Sequence, residues 1–369
     1  MSLKRKASSL TDLPTTASPI TDTSDEPTLK SSPAELNLQK VCPPIRTTIA
    51  EVKHDLDSLG YSVVEGVEEE ETKELHNLFW AYLIKNFGLD PHDPRTWNKD
   101  KTWPDQVHGI IKSYGVGQSE VLWRGRTHPK IVKLWSELFG IPAGRLITSF
   151  DGAGYYPKGG LLTPSPSKKS NWWLHKDQSP HRLAHECWQS ILQLTDTTTQ
   201  GSGGFVCVPG THKLNLARYF PEEVKAASKT KNWFKIPSPG CKEINMKKAI
   251  CLGVPPGKVV LWDSRLPHAN CPPSDKTAER MVLYICMKPA KTATLAIHKK
   301  RAKYFLANRT TSHWPDKVSV NPDAKGFRSK NQVDPKEVLK KAAPFRFSVE
   351  KEPELAALQK SLISPFSSI

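Results

Sequence analysis

His175-Lys176-Asp177 sets an imidazole and a carboxylate two residues apart, and His268 and Arg280 follow further along the chain. On a strand, residues i and i+2 share a face, so His175 and Asp177 can grip one ion while Lys176 points the other way. His268 would complete a set of two histidines and one carboxylate. On one face of an octahedral Fe(II), that set leaves three positions open, enough for a bidentate co-substrate and dioxygen. Structural zinc sites have no such vacancy. Arg280 can point into a barrel, where a buried guanidinium needs a carboxylate partner. The chemistry this spells is oxygenation. The plain alternative is a scatter of unrelated polar residues with Arg280 in a surface ion pair, since an HxD tripeptide alone is weak evidence.

The elements around these residues supply the context. His175 follows Trp172-Trp173-Leu174 at an expected strand end, and His268 follows Val259-Val-Leu-Trp262 and the polar turn Asp263-Ser-Arg-Leu-Pro267. Both histidines sit where apolar strands open into loops. Between 145 and 290, short β-rich segments alternate with Gly, Pro and Asn/Asp turns, notably 188–194, 204–208, 258–262 and 281–286. That is the grammar of a barrel or sandwich. Upstream the period is helical. Ile49, Val52, Leu56 and Leu59 predict a helix stopped by Gly60 and followed by a strand at 61–64; a second helix is expected over 70–87 and a third around Ile131, Trp135, Leu138 and Phe139.

In this order and spacing the motifs resemble the phytanoyl-CoA dioxygenase-like superfamily of Fe(II)/2-oxoglutarate-dependent oxygenases. They are Leu174-His-Lys-Asp177, Gly203-Gly-Phe-Val-Cys-Val-Pro-Gly-Thr-His-Lys213, Gly257-Lys-Val-Val-Leu-Trp-Asp-Ser-Arg-Leu-Pro-His268, and Arg280. The resemblance covers roughly 145–290. It implies a mainly β fold with flanking helices (α+β) around a double-stranded β-helix, or jelly-roll. It further implies Fe(II) on His175, Asp177 and His268, 2-oxoglutarate as co-substrate with Arg280 on its distal carboxylate, O2 as oxidant, and hydroxylation of a C–H bond with release of succinate and CO2. Gln193, on the strand after HxD, is a second candidate contact to 2-oxoglutarate, although many relatives carry an aromatic residue in that region. One departure is Thr211 where the turn usually has serine; the hydroxyl is kept, and His212 reads as a turn residue. Gly109–Gly117 and Thr310–Pro315 lie outside the general motif set, so no substrate carries over.

Other candidates have simpler readings. His181 and His185 stand four apart but lack a third partner nearby, which favours a loop role close to the site. Trp123, Trp172 and Trp173 with Arg124 and Arg126 can line a substrate mouth, while eleven tryptophans in one chain make core packing an equal expectation. Seven cysteines without a CxxC pair read as reduced thiols rather than a disulfide framework.

Composition sets the outer bounds. Residues 1–45 hold nineteen Ser, Thr or Pro and balance five basic against five acidic residues, the make-up of a disordered tail. The organisation expected is that tail, an oxygenase-like domain over 46–290, and a basic, partly helical extension over 291–369 that docks in part. The net charge is +16, and 291–369 holds 16 Lys/Arg against 7 Asp/Glu. Nucleic acid is therefore a conceivable partner through the extension, though no recognition motif accompanies the charge and a small-molecule substrate is the first expectation. No apolar stretch approaches a membrane span, and no apolar run follows Lys4-Arg5-Lys6, so the expectation is an intracellular protein, cytoplasmic or nuclear. Three rival readings keep the same residues: a non-catalytic jelly-roll binding module, an oxygenase acting on nucleic acid or a nuclear protein, and a zinc or copper cupin.

Overall fold

The computed structural model describes residues 38–97, 102–104, 106–160, 173–320 and 334–366. In chain order its strands are β1 (Gln39–Val41), β2 (Ile45–Arg46), β3 (Tyr61–Val64), β4 (Ile110–Ile111), β5 (Leu146–Thr148), β6 (Ala153–Tyr156), β7 (His175–Lys176), β8 (Trp188–Gln193), β9 (Gly204–Cys207), β10 (Phe234–Lys235), β11 (Ile250–Leu252), β12 (Val259–Asp263), β13 (His268–Cys271), β14 (Arg280–Tyr284) and β15 (Met287–Pro289). The helices are α1 (Ile49–Ser58), α2 (Glu69–Phe87), α3 (Glu120–Thr127), α4 (Pro129–Phe139), α5 (Pro221–Ala226), α6 (Leu295–Leu306), α7 (Pro335–Lys341) and α8 (Pro353–Ile363). The chain is thus rich in sheet with flanking helices.

Two sheets dominate. One runs β2-β3-β12-β8-β14-β6-β4 and the other β1-β11-β9-β13-β7-β10. Their central strands, β6-β14-β8-β12 and β11-β9-β13-β7, pair antiparallel throughout. The alternation of side chains along each strand sorts them into layers. From the first sheet, Ile191, Val260, Trp262, Val282 and Tyr284 share a buried cluster with Phe205, Cys207 and Leu252 of the second, so the sheets pack face to face. The intervening residues Leu192, Val259, Leu261, Met281 and Leu283 point outward into a core shared with α1, α2, α3 and α4. On the far side, Val206, Cys251 and Ala269 pack against Leu216, Phe220, Val224, Ile236 and Ile244 of the 214–249 insertion.

Local chemistry explains the helices that support the site. Thr48 accepts from the Glu51 amide while the Glu51 side chain accepts from the Thr48 amide, a capping box that starts α1. α2 and α4 each stop at a glycine in the left-handed conformation, Gly88 and Gly140. Sheet structure begins earlier than the composition implies: β1 pairs in parallel with β11, inside the segment expected to be a polar tail. Lys4-Arg5-Lys6 lies outside the described residues. At the other end, Arg301 of α6 is fully buried and donates to the carbonyls of Thr148, Pro315, Leu362 and Ile363, binding α6 and α8 to β5. Among the described residues, no helix is long and apolar enough to cross a membrane.

Candidate metal centre

β7 is only two residues long, but it lies between β13 and β10, with His175 opposite both His268 and Lys235. The two imidazoles are buried, and their ring centroids are 4.3 Å apart. His175 Nδ1 lies 3.1 Å from the Trp173 carbonyl and His268 Nδ1 lies 2.8 Å from the Leu266 carbonyl. A carbonyl only accepts, so each Nδ1 carries the proton and each Nε2 keeps a free lone pair. Those Nε2 atoms face one carboxylate. Asp177 Oδ1 is 3.7 Å from His175 Nε2, and Oδ2 is 3.4 Å from His268 Nε2. One ligand atom from each of the three residues lies within 4.8 Å of the others, close enough to share an ion.

The loops that carry these groups are braced. The Asp177 amide donates to the Ser264 carbonyl at 2.9 Å. Ser264 Oγ donates to Gln178, whose amide in turn donates to the carbonyls of Arg182 and Ala184. In the turn before His268, Asp263 accepts from both Nε and a terminal nitrogen of Arg265 and from His185 Nδ1. Burial opposes ionisation of Asp263, but His185 and Arg265 outweigh it and hold the carboxyl below its usual range. The same contest decides Asp177. Burial alone would raise it, yet the imidazoles of His313, His175 and His268 together hold it well below the carboxylate range. Burial, reinforced by His268, pushes His175 down to about 3. His175 is therefore neutral and Asp177 anionic at neutral pH, protonation states that suit a divalent cation.

Arg280 opens β14 on the inner face, opposite Tyr156. Its side chain is fully buried, and Nε and both terminal nitrogens have no hydrogen-bond partner among the described residues. A buried cation without a partner is costly, and a small carboxylate would satisfy it. Beside His268 the inner wall is apolar and aromatic, with the Phe205 and Trp262 rings 5.5 and 5.4 Å from the His268 ring. Asn270 adds a polar point there, its amide donating to Tyr284 Oη at 2.8 Å. The donor set and the orphaned guanidinium together fit a divalent metal carrying a dicarboxylate ligand.

No protein-family profile matches the chain. It is 28% identical over 246 residues to the Ava biosynthesis cluster protein O of Aspergillus versicolor, covering 62% of this chain and 75% of that protein. It is 22% identical over 281 residues to a putative phytanoyl-CoA dioxygenase of Dictyostelium discoideum, covering 66% and 76%. The chain resembles the phytanoyl-CoA dioxygenase-like oxygenases. Among solved structures, GlcNAc Inducible Gene 2 of Candida albicans aligns with a TM-score of 0.49 at 14% identity over 89% of this chain and 84% of that one. The epimerase SnoN, solved with Fe3+ and alpha ketoglutarate, aligns at 0.41 and 16% over 66% and 84%.

The residues singled out by sequence fall into three groups. His175, Asp177 and His268 converge. Arg280 and Gln193 lie on the same inner face, with Gln193 opposite Val282, but the Gln193 amide donates to the Thr195 carbonyl at 2.8 Å. The remainder go elsewhere. His181 pairs with the Ala227 carbonyl and His185 with Asp263, so they share no ligand. His212 packs beneath Gly60. The expected mouth of Trp123, Arg124 and Arg126 does not form: Trp123 is core, Arg124 pairs with Glu352, and Arg126 donates to the carbonyls of Gly117 and Asp151. Trp173 is the exception, stacked between His108 and His175 at centroid distances of 3.9 and 4.8 Å. Trp172 lies outside the described residues. Sequence reasoning passed over His313, whose buried Nε2 has no partner among the described residues and which lies within electrostatic reach of Asp177 and Asp151. Its only sequence signal was the unassigned Thr310–Pro315 segment.

Proposed function

We propose that this protein is a non-haem Fe(II), 2-oxoglutarate-dependent oxygenase that hydroxylates a C–H bond of a small-molecule substrate. The observation that carries the reading is Arg280, a fully buried guanidinium without a partner among the described residues, on the inner face that also bears the His-Asp-His set. A zinc or copper cupin would leave that cation unexplained. The strand order supports the double-stranded β-helix: β6-β14-β8-β12 faces β7-β13-β9-β11, and the chain passes from sheet to sheet in the manner of a jelly-roll.

His175, Asp177 and His268 would hold the metal, and Arg280 would hold the distal carboxylate of 2-oxoglutarate, with Gln193 nearby on the same face. Bound together with O2, iron and co-substrate supply an oxidant strong enough to remove hydrogen from carbon, with succinate and CO2 as co-products. The protein's own work is geometric and electrostatic. The Trp173 and Leu266 carbonyls fix both imidazoles in the tautomer that presents Nε2. Asp177 supplies the anionic charge of the set. Phe205 and Trp262 keep water from the wall beside His268. The test is an anaerobic titration with Fe(II) and 2-oxoglutarate. The visible charge-transfer band is expected in the wild type, absent in His175→Ala and Asp177→Ala, and shifted to higher 2-oxoglutarate in Arg280→Ala. A folded, iron-loaded protein with no band would sink the assignment.

A further inference from the structure

The edge strand β10 does more than finish a sheet. Its register sets Lys235 opposite His175 and Phe234 opposite Lys176. Side chains alternate across a strand, so Phe234 turns into the buried cluster behind the sheet while Trp233 and Lys235 emerge on the His175 side. Trp233 is 51% exposed, and its ring lies 6.0 Å from the ring of His175. A large apolar side chain left open to water beside a candidate metal ligand contributes nothing to the core. Trp173 also stacks on the His175 imidazole, with an interplanar angle of 19°, and is itself covered by His108 at 8°. Flat π surfaces thus lie against His175. Cations attend them: Lys235 is exposed on the Trp233 side, and Lys112 lies within electrostatic reach of both His108 and His175.

Resting on the oxygenase reading for the location of the reacting centre, we propose that the substrate carries a planar aromatic ring system that stacks on the exposed Trp233 beside His175, with an acceptor substituent directed to Lys235. Aromatic faces prefer offset stacking on one another, a preference a saturated ring of the same size does not share. An exposed indole next to the reacting centre reads that difference.

The experiment uses a matched pair of probes, 2-naphthamide and its saturated counterpart decahydro-2-naphthamide. Binding to the full chain is measured by ligand NMR line broadening, both metal-free and anaerobically with Fe(II) and 2-oxoglutarate. We expect the wild type to bind the aromatic probe about fivefold tighter. The preference should vanish in Trp233→Leu and persist in Trp233→Phe. Because Trp233 is exposed, neither change threatens the fold, and near-ultraviolet circular dichroism confirms that. Equal binding of the two probes, binding of neither, or a preference that survives Trp233→Leu would each overturn the proposal. The charge-transfer band reports separately on the oxygenase reading: its absence alongside an intact ring preference would remove that reading and leave the aromatic platform standing.

Discussion

His175 and His268 stand directly opposite each other across β7 and β13, with ring centroids 4.3 Å apart and a single carboxylate, Asp177, between their Nε2 atoms. Two imidazoles at that separation repel one another once protonated and cooperate once they share an ion. Thermal unfolding should therefore respond to metal. At a hundredfold excess over Kd, a divalent ion bound only by the folded state adds about 2.7 kcal/mol. We expect Mn(II) or Fe(II) to raise Tm by several degrees in the wild type and by less than one degree in Asp177→Ala or His268→Ala, measured by calorimetry under nitrogen.

Arg280 gives a prediction of opposite sign. Its charge is buried and, among the described residues, unpaired, so replacing it with an apolar side chain of similar length relieves a cost. Arg280→Met should be more stable than the wild type without 2-oxoglutarate, by about 1–3 kcal/mol in denaturant unfolding. It should also need at least about 30-fold more 2-oxoglutarate to saturate. A loss of stability in the bare variant would show that Arg280 has a structural partner.

Lys176 yields a pH dependence. Between two ligands but on the opposite face, it is only 2% exposed, and burial, reinforced by Arg265, lowers its pKa from 10.5 to about 8. A folded-state pKa below the unfolded one means that the unfolded chain binds more protons between those values, so stability rises with pH across that window. The penalty is complete below about pH 8 and gone above 10.5. Lys176→Met should thus be more stable than the wild type by about 3 kcal/mol at pH 7. The advantage should fade towards pH 10.5, as urea titrations at several pH values would reveal.

Gly109 ties the fold to the site. Its φ is +79°, and a Cβ there would meet the Tyr156 ring at 2.1 Å, displacing the residue that faces Arg280. Gly88 has a similar φ of +67° but open space around it. Gly88→Ala should cost only the backbone strain, about 1 kcal/mol. Gly109→Ala should cost at least twice that and raise the 2-oxoglutarate requirement as well. Equal effects of the two substitutions in stability and co-substrate titrations would refute this coupling.

Much of the centre was legible because its residues obey local rules. HxD needs only the i, i+2 geometry of a strand, His268 follows the contiguous apolar run Val259–Trp262, and Arg280 opens a strand whose apolar residues are contiguous. α1, α2 and α4 announced themselves through apolar spacing and glycine stops. β1 did not, because Val41 is the single large apolar residue in a three-residue strand. Its order comes from the ladder to β11 and from Lys40, which reaches the carbonyls of Thr197 and Gly203. Nor did β10: two residues carry no period, and the placement of Trp233 beside His175 exists only through pairing with β7. Arg124 and Arg126 misled because basic residues near a tryptophan look like a binding mouth, whereas distant carbonyls and Glu352 claim them.

The bonds of Arg301 bear on how the chain reaches this state during synthesis. Its guanidinium joins the Thr148 carbonyl, 153 residues earlier, to the Ile363 carbonyl, 62 residues later. On the ribosome, β5 and its strand partner β15 both emerge well before those final partners. The nascent sheets then wait, their link to α8 unmade, until that helix arrives. Interruption of translation anywhere in the basic extension would release a domain that carries His175, Asp177 and His268 but lacks the clasp that closes it.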